Sequence, residues 1–463
     1  MYTHPHKQID RRSISLSIDR RSGLIISLKI RILIIQMSDN IPFEIQVEIL
    51  KRLPVKLLIQ FRSVSKTWRS LIDGSSFIAE YARQHTETQH ILLRYRDYQP
   101  NYELRYVSIV DDETFPGNKV SLTHPVLRQM CKHYSIIGYS HGLFCFYHEA
   151  QVVCNGHSFG TGRVVLWNPS IRKSVDAVVS NVADGVTYET VLNFGVCRET
   201  NDPKIVKITH LIWWGNIESA SHIPWQVEVY TLSTGAWRSL SGNLPRKRIH
   251  FDFSPEFDNC YSVDMGGVLY WLAVDWDSMD GESCNLIISF DMTSEEFGEV
   301  NLPNGLAHSP DGHCLRVSKL GESLVVFEEA DQMVYNVWMM EGDVSKSFTK
   351  RFTLNVNALH HPQAILGFRK SGEPIIEMLE NENDFEPGRV AVYEPHSKHM
   401  YNLGFDGMSS TFFVYPYMET LLLLDQPNLT IHNEPETLNV QDDLVASCKV
   451  RSYMQISYNN DKV

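Results

Sequence analysis

Five times between residues 167 and 393 the chain repeats one short pattern: a strand-forming run ending on an aromatic, a polar turn, and a second strand-forming run. The instances begin at Trp167 (WNPSIRKSV), Tyr230 (YTLSTGAWRSL), Phe290 (FDMTSEEFGEVNLP), Trp338 (WMMEGDVSKSFTKRF) and Tyr393 (YEPHSKHMYNL), spaced 63, 60, 48 and 55 residues apart. A unit of a few short strands cannot cover its own apolar faces, so successive copies must stack. From His90 onward, runs such as SIIGYS at 135–140, LFCFY at 143–147, RVVLW at 163–167, KIVKIT at 204–209 and SLVVFEE at 323–329 alternate with Gly, Pro, Asn, Asp and Ser clusters. That texture predicts an all-β region. Radial closure into a β-propeller would remove the exposed edges that so many short strands create, and stacked β-sandwiches are the alternative.

Ahead of this region lies a different pattern. In residues 39–72, Pro42 and Pro54 punctuate three short helical runs. Pro is tolerated in the first turn of a helix, and Glu44 there suits the positive end of the dipole. Ile45, Ile49 and Leu53 recur every fourth residue with Leu50 as a shoulder; Leu57, Leu58 and Phe61 follow, then Val64, Trp68, Leu71 and Ile72. Three helices in so few residues cannot bury that much apolar surface against one another. Part of it must face a partner.

This stretch resembles the F-box, the adaptor-binding helical module of SCF ubiquitin ligases. The family pattern is met by Ile41-Pro42, Glu48-Ile49-Leu50, Arg52-Leu53-Pro54-Val55-Lys56, Phe61-Arg62, Lys66-Thr67-Trp68 and Leu71-Ile72. Departures are Ile41 for Leu, Thr67 for Ser, and Ser63 and Ser65 where the plant version usually has Cys. The resemblance implies docking on a Skp-type adaptor, and through it on cullin and RING subunits. Ile41, Pro42, Ile49, Leu50, Leu53, Pro54 and Leu57 are expected to supply the contact, with Trp68 shared between contact and core.

The β region resembles kelch-type blades, with Met265-Gly266-Gly267-Val268-Leu269-Tyr270-Trp271 similar to their Gly-Gly-led strand. It also resembles the plant F-box-associated domain. The matching elements are Ser140-His141-Gly142-Leu143, Val165-Leu166-Trp167-Asn168-Pro169-Ser170-Ile171-Arg172-Lys173, Phe194-Gly195-Val196, Asn201-Asp202-Pro203-Lys204-Ile205-Val206, Val227-Glu228-Val229-Tyr230, Trp237-Arg238 and Ser289-Phe290-Asp291. The usual Asn-Asp-Tyr-Lys is Asp202-Pro203-Lys204 here, and the usual Cys-Asn-Gly is Ser140-His141-Gly142. The resemblance implies a non-catalytic, interchangeable substrate receptor of a ubiquitin ligase. The fold expected is mainly β with a small α module: F-box at 38–83, propeller-like domain at 84–427, a tail at 428–463, and at 1–37 a disordered arm or gene-model extension ahead of a usual start at Met37.

Charge sharpens this division. Residues 1–37 carry +5, residues 38–83 carry +2, and the remaining 380 residues carry −20. The large region is therefore a poor partner for nucleic-acid phosphates, whereas the helical module suits an acidic partner. Leu24–Ile35 is too short and too charged for a membrane span. Eight cysteines without a C-x-x-C pair read as reduced thiols of cytosol or nucleus.

Catalytic and metal readings compete poorly. Gly138-Tyr139-Ser140-His141-Gly142 satisfies G-x-S-x-G, which would make Ser140 the nucleophile of a serine hydrolase. That elbow needs a helix after the serine, and LFCFY reads as a strand, so a hairpin turn is favoured. His308, His313 and Cys314, and the pair His360-His361, lack the spacing of a zinc site. Gly156–Gly162 lacks the Lys of a phosphate loop. No cofactor or metal is expected. Target recognition is expected from the longest polar connections: Asp111–Lys119, Asn155–Gly162, Asn216–His222, Arg246–Asn259, Asp275–Ser283 and Leu379–Gly388. Phe251, Phe253, Phe257, Trp276 and Phe385 are their candidate anchors. Their acidity suits a basic or amphipathic peptide. An interaction protein acting outside any ligase is the alternative function.

Overall fold

The computed structural model describes residues 41–426 except for the segments 86–89, 99–102, 123–134, 151–152, 155–156, 184–187, 212–224, 242–248, 252–261, 276–282, 309–314, 332–333, 343–346, 356–361, 380–386, 396 and 398. The N-terminal extension, the start at Met37 and the tail at 428–463 lie outside the described residues. Two compact units adjoin in sequence between Ile72 and Asp73.

The smaller unit holds α1 (Phe43–Leu50), α2 (Val55–Phe61) and α3 (Lys66–Ile72). Pro42 and Pro54 stand immediately before α1 and α2, at the cap rather than in the first turn. The helix α3 is started by Ser65, whose Oγ accepts the Trp68 amide at 3.1 Å. Leu50, Val55, Leu58, Phe61, Trp68 and Ile72 form the buried set. The rings of Phe61 and Trp68 lie 5.6 Å apart. Trp68 Nε1 donates to Gln46 Oε1 at 3.1 Å, so the indole is both packed and hydrogen-bonded.

A fourth helix, α4 (Ser75–Gln84), falls in the larger of the two compact units. It buries Phe77, Ile78, Tyr81 and Ala82. Six sheets follow. The first pairs β1 (His90–Arg96), β2 (Leu104–Val110) and β3 (Lys119–Ser121) with β26 (Phe413–Tyr417). The second has β4 (Ser135–Ser140), β5 (Leu143–Ala150), β7 (His157–Asn168) and β8 (Lys173–Ala183), with the short β6 (Val153–Cys154) on β7. The third has β9 (Tyr188–Val196), β10 (Pro203–Leu211), β11 (Gln226–Thr231) and β12 (Ala236–Ser239).

In the fourth, β13 (Ile249–Phe251) and β14 (Ser262–Met265) share the inner edge of β15 (Val268–Asp275), followed by β16 (Cys284–Asp291) and β17 (Phe297–Asn301). The fifth has β18 (Leu315–Leu320), β19 (Ser323–Asp331), β20 (Val334–Glu341) and β21 (Ser347–Asn355). The sixth has β22 (Pro362–Phe368), β23 (Pro374–Leu379), β24 (Pro387–Glu394) and β25 (His399–Met408).

The last strand closes the first sheet: β26 runs antiparallel to β1, with Leu92 opposite Tyr415. Blade-to-blade cores then run around the ring, for example Phe144 and Trp167 against Leu92 and Tyr106 between blades one and two. The β region is a six-bladed propeller, and the sandwich alternative falls on this closure. Each repeated aromatic sits on the third strand of its blade. Trp167, Phe290, Trp338 and Tyr393 pack in the seam with the preceding blade. Phe290 faces Phe297 and Tyr230 faces Trp237 directly across the ladder, at 4.8 and 5.4 Å between rings. The repeat is visible because four of the seams are filled by such a wedge.

Candidate functional site

The helical unit leaves one apolar face open. At about 100° per residue, Ile45 and Ile49 lie side by side on α1, while Leu50 points well away from them. Ile45 is 51% exposed, Ile49 41% and Phe43 45%, but Leu50 is 1% exposed and Trp68 6%. Pro42 and Pro54 are exposed, and Ile41, Leu53 and Leu57 are half-buried. One expected contact residue therefore changes role. Leu50 is core, because the shoulder of the stripe rather than the stripe itself turns inward, and Trp68, expected to be shared between contact and core, packs on Phe61 and bonds to Gln46. Ile45, which sequence reasoning left out of the contact set, joins Ile49 on the open face, while the exposed Phe43 lies on another side of α1. The signal for Ile45 was the periodicity itself, since it stands one turn before Ile49 on the same stripe.

In each antiparallel blade the connections alternate between the two ends of the sheet. One face carries first-to-second and third-to-fourth turns, and these are short. Examples are His141-Gly142, Gly266-Gly267, Pro169–Arg172, Leu232–Gly235 and Met292–Glu296. The other face carries the second-to-third and blade-to-blade connections, including those across 212–224, 242–248, 276–282 and 380–386. Trp276, Phe385, Phe253 and Phe257 lie outside the described residues.

Two expectations are corrected. Phe251 is 1% exposed within β13, packed on Trp225 and Trp271, and is core rather than an anchor. Asp111–Lys119 lies on the short-turn face and is tied down. Asp111 accepts from Arg369 Nε at 3.0 Å and from the Lys370 amide at 2.6 Å, and the Arg369 guanidinium sits 4.1 Å from the Phe115 ring centroid.

The G-x-S-x-G segment is a hairpin. His141 and Gly142 have φ of 47° and 78°, the pair of left-handed residues a two-residue hairpin turn demands. Ser140 is buried and its hydroxyl is fully used: it donates to Asp264 Oδ2 in a very short bond and lies 2.9 Å from His141 Nδ1. A nucleophile needs histidine between serine and aspartate, and here serine stands between them. Burial pushes the Asp264 carboxyl up to about 7, against the lowering effects of the Ser140 bond, the Lys319 charge and the Gly267 amide. Burial, with Lys319 adding, pushes His141 down to about 4. The cluster joins blades two, four and five rather than presenting a reactive group.

Gly142 has a second duty, since a Cβ there would overlap the Met418 carbonyl, whereas Gly266 (φ 58°) faces open space. Gly266→Ala should cost about 1–2 kcal/mol from backbone strain alone. Gly142→Ala should cost at least about 1 kcal/mol more, from overpacking. Urea midpoints of the two variants measure this, and equal shifts would contradict the close approach. Among the described residues no group of three His, Cys, Asp or Glu could hold a metal, and no helix is long and apolar enough to cross a membrane. His308 is exposed after a four-residue helix, α5 (Asn304–Ala307), while His313, Cys314, His360 and His361 lie outside the described residues.

Comparison with known proteins adds two family matches. Residues 38–79 match the F-box domain and residues 124–380 match the F-box associated beta propeller domain. Among relatives, the chain is 26% identical over 323 residues to the F-box protein CPR1 of Arabidopsis thaliana, covering 68% of this chain and 73% of that one. An F-box/kelch-repeat protein of the same plant is 26% identical over 291 residues, covering 57% of this chain and 66% of the relative.

Proposed function

The chain belongs to the F-box-associated β-propeller family, and from that premise we propose that it is the substrate-recognition subunit of an SCF-type cullin-RING ubiquitin ligase. The observation that carries this reading is the open face of Ile45 and Ile49 in the unit that matches the F-box. An apolar helix face left uncovered beside a complete core suits an obligate partner, here the Skp-type adaptor. The propeller would hold the target protein.

Chain topology favours the face of long connections for that target. The segment after α4 enters β1 at the short-turn end, and the chain leaves β26 at the same end, so both chain junctions crowd one face. Trp276 and Phe385, with the acidic stretches WDSMDGE and ENENDFE around them, fit a basic or amphipathic peptide. The contribution to ubiquitin transfer is positional: a scaffold that holds target and charged enzyme together makes lysine attack effectively intramolecular. This reading also puts the protein in cytosol or nucleus, where such ligases act.

The test is reconstitution of the full chain with purified Skp-type adaptor, cullin and RING subunits. Co-elution as one stoichiometric complex is the expected outcome. A folded chain that elutes alone would overturn the ligase reading and favour a propeller interaction protein acting outside it.

A further inference from the structure

Beyond β26 the chain reads Met418-Glu419-Thr420-Leu421-Leu422-Leu423-Leu424-Asp425-Gln426. Met418, Thr420 and all four leucines are buried, yet none of the described strands pairs with them. Their backbone carbonyls must therefore find partners elsewhere. They find them about 250 residues back, in the turn between β7 and β8. Asn168 Nδ2 donates to the carbonyls of Thr420 at 3.0 Å and Leu422 at 2.7 Å, and Lys173 Nζ donates to that of Leu424 at 2.9 Å. The Met418 carbonyl is the one that Gly142 admits. Carbonyls 418, 420, 422 and 424 thus address blade two, while the chain turns on itself over Leu421–Gln426: the Leu424 amide donates to the Leu421 carbonyl at 3.0 Å and the Gln426 amide to that of Leu423 at 3.1 Å.

The turn is built to receive them. Asn168 Oδ1 accepts the Ser170 amide at 2.9 Å, which orients the side-chain amide, and Asn168 is fully buried. Ser170 Oγ accepts the Thr420 amide at 3.1 Å and lies 2.8 Å from the Tyr417 hydroxyl. Leu423 adopts φ 72°, a left-handed conformation that leucine holds only when its surroundings impose it. The segment also borders α4: the Glu419 charge helps to raise the Tyr81 phenol, after burial, its larger cause.

We propose that Met418–Gln426 is a strap, read through its backbone by Asn168, Ser170 and Lys173, that locks the ring once β26 has paired with β1. On this reading the Asn-Pro-Ser-Ile-Arg-Lys turn is an intramolecular peptide site whose ligand is the chain's own carboxyl-terminal segment. The pairing of β26 with β1 holds the ring within blade one, and the strap fastens the same end of the chain to blade two.

Hydrogen exchange on the full chain tests it. Asn168→Asp keeps the acceptor that Ser170 uses but faces two carbonyls with oxygen, and Lys173→Met removes the third donor. The double variant should exchange the amides of β26 and β1 on the order of a hundredfold faster, with blades three to five unchanged. A chain ending at Gln426 should match the full chain. A chain ending at Tyr417 should show the fast exchange, and a synthetic peptide of residues 418–426 should reverse it. If the shortened chain does not fold, the double variant decides alone. Unchanged protection of β26 in the double variant, or equal loss across all six blades, would overturn the strap.

Discussion

Replacing Ile45 and Ile49 together by aspartate is expected to abolish adaptor binding while leaving the melting temperature of the protein almost unchanged. The two side chains are already about half covered, so a partner can bury only the remainder, worth roughly 1–1.5 kcal/mol each. Loss of both alone would weaken binding by about one to two orders of magnitude. Aspartate adds the cost of burying two charges without partners, which raises the loss well beyond that. Stability should stay within about 0.5 kcal/mol, because neither residue contributes to the buried set around Phe61 and Trp68. Leu50→Ala is the contrasting variant. It should lose about 2–5 kcal/mol of the helical unit's stability and affect the adaptor only through that loss. Calorimetric titration with the adaptor and thermal melts separate the two effects. Wild-type affinity in the Ile45/Ile49 variant would remove the open face from the binding model.

The contrast between Ile49 and Leu50 shows where sequence reading reaches its limit. Both belong to a stripe that the spacing makes legible, but which side of a stripe is core depends on the helices packed against it. Those helices fix the inward direction through Trp68, Val55 and Phe61. The propeller was legible for a different reason. Its aromatic wedges do one job in four of the blades, so the job leaves a period in the sequence, and the uneven spacing reflects connections of unequal length. The first blade escaped because its third strand, β2, ends on Val110-Asp111 without an aromatic, and its inner strand comes from the other end of the chain.

Phe251 was misplaced because Ile249-His250-Phe251 is too short to announce itself as a strand, and only its pairing with Val274 and Ala273 makes it one. The Asn168 clasp and the Ser140–Asp264 bond were not legible at all. Their partners are separated by more than a hundred residues, and nothing in local propensity or periodicity links such positions.

The Ser140–Asp264–His141 cluster makes a prediction about pH whose sign is opposite for its two titrating groups. Asp264 has its folded value raised from 3.8 to about 7. Its contribution to stability is full below pH 3.8 and is lost as pH rises through 7. His141 has its folded value lowered from 6.5 to about 4. Its contribution is full above pH 6.5 and is lost as pH falls through 4. Across the shared window the folded chain holds an extra proton on Asp264 and lacks one on His141, so the two slopes oppose. The cluster's net effect in the native protein should therefore be nearly flat between pH 4 and 6.5. Single variants should expose each slope. Asp264→Asn leaves the histidine alone, so stability relative to the native protein should rise with pH across that window. His141→Asn keeps the left-handed turn, since Asn-Gly is favoured there, and leaves the aspartate alone. Its relative stability should fall as pH rises from 4 to 7. Each difference is bounded at about 3–4.5 kcal/mol, the equivalent of the shifts themselves. Urea midpoints at half-unit intervals for the three proteins give the two difference curves. Curves of the same sign, or both flat, would show that the buried proton does not reside on this relay.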